Sequence, residues 1–132
     1  MKMPPMPTRT AAAQELVEIL DTPFLRALSE SARLEVLKVM LVHGGGDVGS
    51  IAQHLPQDRS VVSRHLQVLE DAGIVSSTWQ GRHRRYELNG SGFVDGFEDI
   101  AARVRDLARL CCPSAAAAKP ASGATARRRR TA

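Results

Sequence analysis

Two cysteines stand side by side at Cys111 and Cys112 and are the chain's only thiols. Adjacent cysteines can close only a small, strained disulfide ring, so the pair suits two free thiols. Soft thiolates bind soft or borderline ions. The pair sits just before the helix-stopping Pro113, where two neighbouring sulfurs could turn to grip one metalloid centre. Arg105 and Arg109 would favour the thiolates, while a helix C-terminus opposes them. Cys111 also reads more simply, as a small packed hydrophobe. A second group of residues suits a different chemistry. Arg59, Ser60, Ser63, Arg64 and Gln67 fall on the polar side of a helix whose other side carries Val62, Leu66 and Leu69. Arginine can donate two bonds to a guanine edge, and serine can bond a base or a phosphate. Arg82 and Arg84 lie in a Gly81-Arg82-His83-Arg84 tip that suits contact with a nucleic-acid backbone or minor groove.

Elements that could position these residues follow from the pattern. Residues 1–9 hold three prolines and no periodicity and read as a flexible lead; 10–112 is the folded part; 113–132 is a low-complexity basic tail, expected to be disordered. Helices are expected over 10–20, from a Ser29 N-cap to His43, over 48–55, and from an Asp58 N-cap through Ala72, with a short helical turn over 24–28 after Pro23. Gly44-Gly45-Gly46 and Gly73 are helix stops. Strands are expected at 74–80 and 85–88 around the basic tip, and a last helix over 93–112. The result is a mainly α chain with a small β-hairpin in the order α-α-α-α-β-β-α, a winged helix-turn-helix. Trp79 and Tyr86 are expected to brace the hairpin on the body, and His65 to be packed beside Leu66 and Leu69.

Charge supports the same placement. The chain has 18 basic and 14 acidic side chains, a formal net charge of +4. The tail alone carries Lys119 and Arg127 to Arg130 with no acid, which leaves 13 basic against 14 acidic residues in 1–112. A basic tail is weak evidence for the fold's partner and is expected to add only sequence-independent affinity for DNA. Between Arg59 and Tyr86, however, five arginines (59, 64, 82, 84 and 85) face only Glu70 and Asp71. A polar helix face and a charged turn are common solvated features. Here the turn, the Asp58 cap, the Gly73 stop and the adjoining basic hairpin agree, and DNA binding follows.

Several classes drop out. No apolar run is long enough for a membrane span, and Met1 to Arg9 lacks the apolar core of a secretory signal, so a cytoplasmic location is expected. Gly44 to Gly46 lacks the lysine of a phosphate-binding loop, and no paired carboxylates or Ser/His/Asp set suggests a pocket. Neither an enzyme nor a catalytic cofactor is expected.

Leu28-Ser29-Glu30-Ser31-Ala32-Arg33-Leu34-Glu35-Val36-Leu37, the Ser60 to Leu66 stretch continuing through Leu69 to Ala72-Gly73-Ile74-Val75, and Gly81-Arg82 with Tyr86-Glu87-Leu88 resemble the second helix, recognition helix and wing of the ArsR/SmtB winged-helix repressors of bacteria. The resemblance covers roughly residues 14–110. It implies a homodimeric repressor that leaves a near-palindromic double-stranded operator when an effector binds, with the terminal helices as dimer interface. The sequence adds its own support: Phe93, Phe97, Ile100, Val104, Leu107 and Cys111 recur at alternating steps of four and three, an apolar seam flanked by Val94, Ala101 and Ala108.

The resemblance also directs the thiol reading. Some ArsR-type repressors use a vicinal C-terminal cysteine pair for organoarsenicals, so Cys111 and Cys112 are expected to bind a trivalent arsenical. Arsenite prefers three sulfurs and would need a cysteine of the second subunit; a methyl or aryl arsenical already carries one carbon and needs two. The Cys-x-Cys of arsenic- and cadmium-sensing members is absent from Gly46 to Ala52, and no histidine follows His83 to build a zinc site with the terminal carboxylates. Two alternatives stay open. One is an ArsR-type repressor with no metal site, metal-independent or controlled by thiol oxidation. The other is a winged-helix protein-interaction module that does not bind DNA.

Overall fold

A computed structural model describes residues 6–111 and the side chains of 8–110. The elements run α1 (Met6–Leu20), α2 (Pro23–Ala27), α3 (Ser31–His43), α4 (Val48–Ala52), α5 (Arg59–Asp71), β1 (Val75–Gln80), β2 (His83–Leu88) and α6 (Gly90–Cys111). This is the expected winged helix-turn-helix order, with the expected helical turn after Pro23 formed as the short helix α2. The bounds differ where capping decides them. Helix α1 begins at Met6, so residues 6–9 of the expected lead are helical; Pro7 falls in the first turn, where its missing N–H has no partner to lose.

The Thr22 hydroxyl oxygen accepts from Leu25 N–H at 3.3 Å and starts α2 with Pro23 at its first position. Ser29, expected to cap α3, instead donates its hydroxyl to the Arg26 carbonyl at 2.8 Å and closes α2. The N-cap position of α3 is Glu30, without a side-chain bond. Arg33 joins the two helices, donating from Nε to Ala27 O at 2.9 Å and pairing with Glu30 at 3.3 Å. Helix α4 stops at Ala52 rather than Leu55, because His54 and Leu55 bond back three residues, to Ile51 and Ala52, in a tightening turn.

Helix α6 starts three residues earlier than the pattern suggested. Asn89 Oδ1 accepts from Gly92 N–H at 3.2 Å while its Nδ2 donates to Gly73 O at 3.2 Å, which ties the start of α6 to the end of α5.

The core is made by Val36 and Met40 of α3, Ile51 of α4, Val62, Leu66 and Leu69 of α5, Ile74 and Val75, all nearly inaccessible to solvent. His65 is buried among them as expected. Tyr86 is buried too, but Trp79 is 65% exposed and does not brace the hairpin on the body. The hairpin turn is tighter than the expected four-residue tip. Gly81 takes φ +65° at the first position of a two-residue turn, so His83 and Arg84 belong to β2, and Trp79 pairs with Arg84 and Ser77 with Tyr86. Gly46 extends the sheet by exchanging two backbone bonds with Tyr86 at 2.9 and 2.8 Å. Its neighbour Gly45 has to be glycine-sized: a Cβ there would collide with the Tyr86 carbonyl.

Candidate nucleic-acid interface

Helix α5 is built to present one side. Asp58 caps it, its Oδ1 accepting from Val61 N–H at 3.1 Å and from the Ser60 hydroxyl at 2.9 Å. These two bonds, the backbone one first, hold the Asp58 carboxyl below the ordinary carboxylate value, with Arg64 adding a smaller favourable charge. Below the cap, Val62, His65, Leu66 and Leu69 bury one side, and Arg59, Ser60, Arg64 and Gln67 are exposed on the other. Ser63 is half-buried on the flank between them.

The expected contact residues therefore share one exposed side but differ in freedom. Ser60 has spent its proton on Asp58 and offers only acceptor capacity. Gln67 donates to Asp71 at 3.0 Å. Arg59 lies over Gly49 of α4, near Asp47, whose carboxyl is held below its ordinary value by hydrogen bonds from the Ser50 backbone and hydroxyl and, to a smaller degree, by His83 and Arg59. Arg59, Arg64 and Arg82 form no ion pair among the described residues.

Arg84 is the exception to the expected set. Its Nη2 pairs with Glu70 at 3.3 Å, its Nε donates to the Ser77 hydroxyl at 2.8 Å, and Ser77 in turn donates to Glu70 at 2.6 Å. The guanidinium also lies 5.5 Å from the centre of the Trp79 ring. Arg84 thus fastens the hairpin to the last turn of α5. The periodicity of the strands carries the signal for this clamp, but only once the two-residue turn sets the register.

On the seam of α6, Phe93 and Phe97 are not free to meet only a second chain. Both pack against Phe24 of α2, at ring-centre distances of 6.2 and 5.0 Å, and α1 lies along α6. Ile100, Val104 and Leu107 are half-buried. Outside this packing, Leu16, Val17 and Leu20 of α1 and Val94 of α6 remain exposed as large apolar side chains, and Phe97 keeps an exposed edge beside its contact with Phe24.

Helix α6 reaches Cys111, whose side chain lies outside the described residues together with Cys112 and the tail. As a donor set, two thiols fit a trivalent arsenical that keeps one carbon, and fall one sulfur short of arsenite. Arg109, expected to favour the thiolates, pairs with Asp106 at 2.7 Å, which spends its charge locally. His43 and His54 come together in space, but as rings stacked 3.7 Å apart and nearly parallel. Lone pairs in parallel ring planes do not converge on one ion.

The helix pair α4–α5, the exposed side of α5 and the clamped hairpin define a winged helix-turn-helix module. Residues 30–77 match the family model described as "Bacterial regulatory protein, arsR family". The chain is 42% identical over 66 residues to the HTH-type transcriptional regulator CmtR of Mycobacterium tuberculosis, covering 50% of this chain and 55% of CmtR, little more than half of that relative's length. It is 31% identical over 72 residues to the transcriptional repressor SdpR of Bacillus subtilis, covering 53% of this chain and 77% of SdpR. An ArsR-like transcriptional regulator from Rhodococcus sp. RHA1 has the same fold, with a TM-score of 0.58 at 24% identity, over 83% of this chain and 98% of that one. The chain belongs to the arsR family of bacterial regulatory proteins.

Proposed function

We propose that the protein is a homodimeric, DNA-binding transcriptional repressor that leaves its operator when a trivalent arsenical binds Cys111 and Cys112. The observation that carries the DNA-binding part is the division of α5. One side is buried as completely as any core segment, and the other presents Arg59 and Arg64, which like Arg82 of the hairpin form no ion pair among the described residues. Such a helix can enter a major groove with its N-terminal residues against base edges while the hairpin meets the flanking backbone. The relative SdpR, itself a transcriptional repressor, supports repression as the outcome.

Two copies joined through α1 and α6 would place two α5 helices for a near-palindromic duplex. The exposed apolar side chains of those two helices support this interface. The arsenical part rests on the adjacency of the two thiols. An organoarsenical bearing two hydroxyls on arsenic would exchange both As–O bonds for As–S bonds. The two thiol protons leave with the hydroxides as two waters, and the oxidation state of arsenic does not change. Arsenite could bind only if a partner cysteine supplied a third sulfur.

The test is release of a fluorescent duplex from the DNA upstream of the protein's own coding region, followed by anisotropy. Phenylarsenite, methylarsenite, arsenite, antimonite and zinc are the titrants, against wild type and a Cys111→Ser/Cys112→Ser variant. Release by the organoarsenicals, lost in the variant, is the expected result. A wild type that binds the duplex and is released by none of them would refute the dithiol sensor and leave a repressor under other control.

A further inference from the structure

We propose that Trp79 is a direct contact to duplex DNA, an exposed indole on the hairpin held in orientation by Arg84; the proposal rests on the DNA-binding reading above. Trp79 is the chain's only tryptophan and is 65% exposed, although it sits in a regular strand three residues before the arginine of the turn. Its exposure is not that of a loose side chain. Across the ladder it pairs with Arg84, whose guanidinium lies 5.5 Å from the ring centre. The guanidinium is itself fixed by Glu70 of α5 at 3.3 Å and by the Ser77 hydroxyl at 2.8 Å. The clamp therefore sets the indole next to Arg84 on the side of the hairpin from which Ser77 and Arg84 reach Glu70, with much of its surface uncovered.

The surroundings select the partner. Arg84 lies beside the ring, and Arg82 in the adjoining turn, like Arg59 and Arg64 on α5, forms no ion pair among the described residues, so the end of the hairpin suits a polyanion. The indole N–H is a donor only. A B-form minor groove offers acceptors on the bases and phosphates along its edges, and the apolar sides of the sugars for the ring to pack on. Such a contact adds affinity without reading sequence. Being uncharged, it releases no counterion, so it strengthens binding without steepening the salt dependence. Arg84 in this arrangement is a positioning residue and Trp79 the contact.

Trp79 is the single tryptophan of the 132-residue chain, so emission excited beyond the absorption of Tyr86 reports it alone, which makes the test direct. Unlabelled upstream duplex is titrated while emission and acrylamide quenching are followed, and a labelled duplex measures affinity by anisotropy in parallel. Saturation with DNA is expected to shift the emission and to protect the indole from acrylamide. Trp79→Ala is expected to weaken binding about tenfold, on the scale of a lost aromatic contact to a nucleic acid, to equal degrees for upstream and random duplexes and with an unchanged salt slope. Trp79→Phe, which keeps a ring, is expected to retain most of the affinity. Arg82→Ala is expected to do the opposite to the salt dependence, lowering the slope by about one unit. The proposal is overturned if anisotropy shows binding while Trp79 stays as quenchable as in the free protein and Trp79→Ala binds like the wild type. If no duplex binds at all, the DNA-binding reading fails first, and the assignment of Trp79 fails with it.

Discussion

Asp58 shows how much one side chain decides in this protein. It ends the turn after α4, starts α5, and takes the Ser60 hydroxyl out of competition for a ligand. Its carboxyl titrates below the ordinary value because the charged form accepts bonds from Val61 N–H and Ser60 Oγ. The unfolded chain, where those bonds are gone, therefore takes up the proton at higher pH than the folded chain. The stabilisation is complete above the unfolded carboxylate's pKa and is lost as pH falls toward the lower, folded one. Asp58→Asn keeps a capping oxygen but removes the titration. The expected outcome is a nearly unchanged unfolding midpoint at neutral pH and a shallower loss of stability in acid. Thermal unfolding of both proteins across the carboxylate range measures it, and parallel acid limbs would contradict the assignment.

At the level of elements, close approach matters more than propensity. Gly96 lies on α6 where the Phe24 ring of α2 seats against the helix, and a Cβ there would overlap that ring. Phe24 is confined by Phe93 and Phe97 on the same helix, so it has little room to withdraw. Gly96→Ala should therefore destabilise the fold by about 1–3 kcal/mol, the range for overpacking, even though alanine is the better helix former. A rise in the unfolding midpoint would show that helix propensity outweighs the clash.

The same distinction explains what could be seen from sequence. The stripe of Val62, Leu66 and Leu69, the Asp58 cap and the Gly73 stop place α5 from local signals alone, and the structure agrees with each. Elsewhere a competing bond decides. Ser29 closes α2 by bonding back to Arg26 in its own turn instead of capping α3, whereas Asn89 starts α6 early by bonding across to Gly73. The pairing of Trp79 with Arg84 is not visible in local signals. A two-residue turn brings them opposite one another, and Glu70, distant in sequence, then holds Arg84.

For the whole molecule, the decisive question is what covers the outer side of α1 and α6. Val17 and Val94 are 56% and 53% exposed. In a single chain, a lysine at either position would meet water and change stability little, within roughly 0.5 kcal/mol for a surface site. In a dimer joined through these helices, the same lysines would be carried into an apolar contact, where an unpaired charge is costly. Val17→Lys/Val94→Lys thus separates the two situations without disturbing the Phe24 cluster. The expected result is a variant that unfolds like the wild type at low protein concentration but sediments as one chain where the wild type sediments as two. Loss of the second copy should also weaken binding to the upstream duplex, because each chain then holds a single half-site without the gain in effective concentration that a tethered second helix provides. A variant that still sediments as two chains would place the interface elsewhere on the molecule. A wild type that sediments as one chain would remove the dimer from the proposed mechanism and leave α5 to recognise a single half-site.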